Sequence, residues 1–80
     1  MDKIKALVEE MRENPQNIRF HDLKKVCEAY FGMPRTSSSH VIFDTKCQGI
    51  PNINIQNENG KAKVYQVRQV LKAIDRLQEG

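Results

Sequence analysis

The sequence predicts an α+β domain in the order α–α–β–β–β–α, with two helices packed on one face of a three-stranded antiparallel meander. Three observations carry that reading. Apolar residues recur at helical spacing near both ends of the chain. They alternate with polar residues in the middle. Gly, Pro and Asn mark the changes from one pattern to the other.

The first helix is expected over 2–13, where Ile4, Leu7, Val8 and Met11 share one face. Asn14-Pro15 ends it, because a residue before proline avoids the helical region. A linker over 16–19 leads to a second helix over about 21–31, with Leu23, Val26, Cys27 and Tyr30 as its buried stripe. Asp22 suits the positive end of the helix dipole, and Gly32 and Pro34 stop the helix. Residues 33–36 supply a first strand. In the second strand Val41 and Phe43 face one way and His40, Ile42 and Asp44 the other. In the third, Ile53 and Ile55 oppose Asn52, Asn54 and Gln56. The stretch 44–52, with Gly49 and Pro51, is expected to be a loop that also holds Cys47. The last helix covers about 64–77, with Val67, Val70, Leu71, Ile74 and Leu77 inward. Asn59-Gly60 is also a hairpin signal, but a strand over 61–67 would cut into that stripe, so a loop followed by a helix is favoured. The first helix, within 1–17, reads as an extension of one domain whose unit is 18–80.

A chain of 80 residues buries a thin core and leaves little room for a deep pocket. An enzyme of this size is expected to act on a large ligand laid across its surface. The net charge of +3 is uneven: 1–14 carry Lys3, Lys5 and Arg12 against Asp2, Glu9, Glu10 and Glu13, while 15–80 hold ten basic and six acidic side chains. That basic excess suits a polyanionic partner, and equally a mixed solvated surface. Cys27 and Cys47 have neither metal nor redox spacing, which fits a reducing cytoplasm. The first apolar residues are interleaved with charges, so neither a leader nor a membrane span is expected.

The chemistry points to Thr36-Ser37-Ser38-Ser39-His40-Val41-Ile42-Phe43, a small-polar turn running into an apolar strand with one imidazole at the junction. His40 reads either as a general acid or base presented by a rigid strand, or as a strand-edge histidine without a role. His21, near the start of the second helix, reads as a cap or surface residue. The serines read as turn residues, because no Ser-His-Asp pattern accompanies them. Asp44 shares the face of His40 but lies about 13 Å along the strand. No His, Cys or Asp cluster has metal-ligand spacing, so neither metal nor other cofactor is expected. Phosphate contacts are expected from Lys61 and Lys63 at the entry to the last helix, from Arg35 and Lys46 flanking the His40 strand, and from Ser39. Lys24 and Lys25 read as solvent face, and Asn52, Asn54 and Gln56 as the wet side of the sheet or, alternatively, as hydrogen-bonding contacts to RNA.

Over about residues 18–80 this arrangement resembles the HicA family of bacterial mRNA interferase toxins. The resemblance is carried by Phe20-His21-Asp22-Leu23, Arg35, the Ser39-His40-x-x-Phe43 run and Asn52-Ile53-Asn54-Ile55. Ser38 stands where the family's usual Gly-Ser-His has glycine. The resemblance implies a fold like a double-stranded RNA-binding domain, α-β-β-β-α, here with an extra N-terminal helix. It implies a metal-independent endoribonuclease that cleaves mRNA with His40 as its catalytic residue. It also implies a HicB-type antitoxin partner and a hetero-oligomeric complex. Double-stranded RNA-binding domains carry a basic cluster at the helix start comparable to Lys61 and Lys63. Histidine suits such cleavage because its unperturbed pKa is about 6.5. The alternative function is a non-catalytic RNA-binding module of the same fold. A third reading has the first helix docking a protein partner.

Overall fold

The computed structural model describes residues 3–37, 40–47 and 49–79. Helix α1 (Lys3–Glu13) turns Val8 and Met11 inward and stops before Pro15, which opens a short 3-10 turn, Pro15–Asn17. Helix α2 (Phe20–Phe31) buries Leu23, Val26 and Cys27, with Tyr30 half-buried at its edge. Gly32 takes φ +91 and donates its N–H to the Glu28 carbonyl, the left-handed closure that a side chain would strain. Burial pushes the Cys27 thiol up to about 12, with the neighbouring Glu28 charge adding to it. Cys27 is therefore core packing and not a nucleophile.

The strands β1 (Arg35–Ser37), β2 (His40–Cys47) and β3 (Ile50–Gln56) form an antiparallel sheet in sequence order. Val41, Phe43, Thr45, Cys47, Ile53 and Ile55 point inward and are buried. The expected loop over 44–52 is mostly strand. β2 runs on to Cys47 and β3 starts at Ile50, so Cys47 is a buried strand residue and not a loop residue. The reason is Thr45, whose hydroxyl donates to the Ile50 carbonyl and accepts from the Cys47 N–H at 3.1 Å. A bulge between Asp44 and Cys47 puts Lys46 at φ 59 and absorbs one residue of register. Pro51 is tolerated because β3 is an edge strand.

Asn59 and Gly60 adopt φ 54 and 87, and Glu58 and Lys61 exchange backbone bonds of 2.9 and 3.0 Å across them. The hairpin signal is thus real as a two-residue turn. It does not continue as a hairpin, because Lys61 and Ala62 pass beside Ile18 and Phe20 and helix α3 (Val64–Glu79) follows. α3 buries Val67, Val70, Leu71, Ala73 and Ile74. Leu77, expected inward, is 39% exposed in the last turn, beyond the sheet that covers the others.

Helices α2 and α3 both pack on the inner face of the sheet, and α1 packs against both helices. Met11 of α1 is only 1% exposed, so this helix shares the core with the other elements. Arg12 and Asp75 clamp α1 to α3 through a 2.6 Å ion pair. The hydrogen bond from Arg12 holds the Asp75 carboxyl below its ordinary range, and the same bond raises the Arg12 guanidinium. A lowered carboxyl stabilises the fold above the ordinary carboxylate range and loses that contribution as pH falls through its folded value. The pair is half-exposed, so it is worth about 0.2–1 kcal/mol. Asp75→Asn is expected to lower the urea midpoint slightly at neutral pH, and the gap from wild type should close as the solution is acidified. A gap that persists at the acid end would contradict this assignment. Among the described residues, no helix is long and apolar enough to cross a membrane.

Candidate nucleic-acid site on the open sheet face

The outward face of the sheet is set by register. His40 pairs with Gln56, Ile42 with Asn54 and Asp44 with Asn52, while Arg35 pairs with Ile42 from the other side. Partners across a ladder share a face, so Arg35, His40, Asp44, Asn52, Asn54 and Gln56 all stand on the side away from the helices.

His40 is held at both ring nitrogens. Nδ1 lies 2.8 Å from Asn54 Oδ1, and Nε2 lies 3.1 Å from the Gln56 side-chain nitrogen. An amide oxygen only accepts and an amide nitrogen only donates, so this pairing selects the neutral imidazole with its proton on Nδ1. The Nε2 lone pair then receives the Gln56 amide. Gln56 is itself anchored, since its backbone N–H donates to Gln66 Oε1 at 3.0 Å. Gln66 comes from α3 and is 2% exposed. The histidine is therefore a half-buried, oriented group whose acceptor nitrogen is covered by the Gln56 amide.

The sequence offers Asn54 and Gln56 as the wet side of the sheet or as RNA contacts, and not as partners of His40. The signal that identifies them is the register, which period-two alternation alone does not supply. His21 is exposed on α2, behind the opposite face of the sheet, so the two histidines are not paired. Arg35 pairs with Asp44 at 3.2 Å across exposed side chains. Such a pair is worth about 0–1 kcal/mol, little enough for a phosphate to displace it. Lys61 and Lys63 lie at the end of the sheet that carries His40, because β3 leads from Gln56 directly into their turn. They line an open depression of about 580 Å³ at the start of α3, where Lys63 reaches Glu58 at 3.7 Å. Lys46 sits at the other end of β2, six residues and about 20 Å from His40, so the structure does not bring these two together. Ser38 and Ser39 lie outside the described residues.

Among the described residues, no group of three or more His, Cys, Asp or Glu side chains is placed to hold a metal ion. What the arrangement offers is one imidazole oriented by two amides on an open face, with cations at its margins. Comparison of the chain with protein-family models, curated proteins and solved structures gives no match.

Proposed function

We propose that this chain is an endoribonuclease of the HicA type, a toxin that cleaves mRNA with His40 as general acid and base. The supporting observation is the His40 imidazole, oriented by Asn54 and Gln56 on the open face of the sheet. The element order suits a frame like a double-stranded RNA-binding domain, with α1 added before it.

RNA carries its nucleophile in the 2′-hydroxyl next to each phosphodiester. With Gln56 displaced by the incoming strand, His40 Nε2 takes the 2′-hydroxyl proton while the oxygen attacks phosphorus. The imidazolium then returns a proton to the departing 5′-oxygen, leaving a 2′,3′-cyclic phosphate. Asn54 keeps Nδ1 protonated and the ring in plane, the orienting role an amide plays in other histidine bases. Arg35, freed from Asp44, and Lys61 with Lys63 are the cations for the phosphate backbone. A toxin needs restraint, so a HicB-type antitoxin covering this face in a cytoplasmic hetero-oligomer belongs to the same proposal.

The two bonds to His40 also favour a second reading. An imidazole bridging two amides can simply staple β3 to β2 in a non-catalytic RNA-binding module. Expression of wild type and His40→Ala in separate bacterial cultures separates the readings. Catalysis predicts growth arrest and mRNA loss with wild type alone. A stapling role predicts the same outcome from both chains.

A further inference from the structure

Tyr65, Arg68, Gln69 and Lys72 follow the i, i+3, i+4 and i+7 spacing of one helix face. With Gly49 and Ile50 at the start of β3 they line an open groove of about 480 Å³. Tyr65 is 62% exposed, so its ring is not there to fill the core. Arg68 and Lys72 take no part in the ion pairs found among the described residues, and no Asp or Glu lines the groove.

The groove lies on the α3 side of the edge strand β3 and starts near its Gln56 end, while His40 stands on the opposite face of the sheet, so the two meet round that edge. His40 meets Gln56, the Gln56 backbone N–H donates to Gln66, and the Gln66 side-chain amide reaches the Tyr65 hydroxyl at 3.4 Å. From Tyr65 to Lys72 the helix rises about 10 Å, toward the β2–β3 turn at Gly49. There the Arg76 guanidinium lies so close that a Cβ on Gly49 would stand 2.7 Å from it.

We infer that this groove holds a single nucleic-acid strand that comes round the β3 edge from the His40 face, with Tyr65 as a stacking platform and Arg68 and Lys72 against its phosphates. The direction of the strand rests on the proposed function; the binding chemistry rests on the groove alone. Cations that track the backbone beside an aromatic face that accepts any base are the working parts of single-strand binding surfaces. An acidic peptide would use the cations but leave Tyr65 without a planar partner.

The test uses the full chain carrying His40→Ala and a labelled oligodeoxythymidylate of about a dozen nucleotides, within the span of known single-strand sites. That strand lacks the 2′-hydroxyl and cannot be cleaved by the proposed route. Anisotropy titrations at several salt concentrations are expected to show binding that weakens as salt rises. Adding Arg68→Gln and Lys72→Gln together should flatten the log–log salt slope by about 1.4, at about 0.7 for each phosphate contact. Adding Tyr65→Ala should weaken binding roughly fivefold to a hundredfold with the slope unchanged, and Tyr65→Phe should restore it. Tyr65, Arg68 and Lys72 are exposed, and circular dichroism verifies that each variant is folded. Unchanged affinity and slope in the double variant would overturn the inference. So would polyglutamate that displaces the strand as well as an unlabelled oligonucleotide does, because the groove would then belong to an acidic protein segment. If His40→Ala cleaves RNA like wild type while the groove variants lose binding, the catalytic proposal falls and the groove stands.

Discussion

His40→Ala is expected to slow RNA cleavage by about 10²–10⁴, the usual worth of a positioned acid or base, while the fold remains intact. The side chain stands on the outward face, hydrogen-bonded to Asn54 and Gln56, and is not one of the buried core residues, so its loss leaves the core intact. Purified wild type and variant compared on a labelled single-stranded RNA give the ratio directly. Cleavage by the folded variant within tenfold of wild type would remove His40 from the chemistry. Asn54 separates positioning from catalysis. Asn54→Asp places a carboxylate against Nδ1, which favours the imidazolium, so the acidic limb of the pH–rate profile, where the base is lost to protonation, should move to higher pH. A merely structural Asn54 would lower activity at every pH alike.

The largest expected effect on stability is at Phe43. Its ring is fully buried in β2 and packs against Phe31 of α2, with centroids 6.5 Å apart. Phe43→Ala should cost about 3–5 kcal/mol, through lost burial and an unfilled cavity. A domain of 80 residues has about 4–12 kcal/mol in total, at roughly 0.05–0.15 kcal/mol per residue. The variant should therefore be partly or wholly unfolded at 37 °C, with Phe43→Leu losing less. Urea unfolding followed by circular dichroism measures both. A Phe43→Ala midpoint equal to wild type would mean that the sheet and α2 do not share one core.

The three helices were legible because each buries one stripe at helical spacing, and Pro15, Gly32 and the Asn59-Gly60 turn punctuate them. The α+β class follows from that pattern and the alternation at 40–44 and 52–56. The end of β2 was not legible, because its inward positions are Thr45 and Cys47, which do not stand out as apolar alternation. Gly49 and Pro51 nearby imitate a loop. That error also hid the site. With 44–52 read as a loop, the cross-strand register is undefined, and nothing selects Asn54 and Gln56 as the partners of His40. Once the Asp44–Cys47 bulge sets the register, both amides fall beside the imidazole.

The clamp between Arg12 and Asp75 joins positions 63 residues apart. Together with the burial of Met11 against the other helices, it makes the two ends of the chain mutually dependent. Contacts of such long sequence separation form only after the intervening chain exists. During synthesis α2 covers only part of the apolar underside of the sheet until α3 has emerged, and the Gln66 anchor behind Gln56 arrives with α3. A ribosome-bound, unfinished chain therefore lacks that anchor behind the histidine site. If the folded domain cuts mRNA, its own message is protected from that copy until α3 has been made.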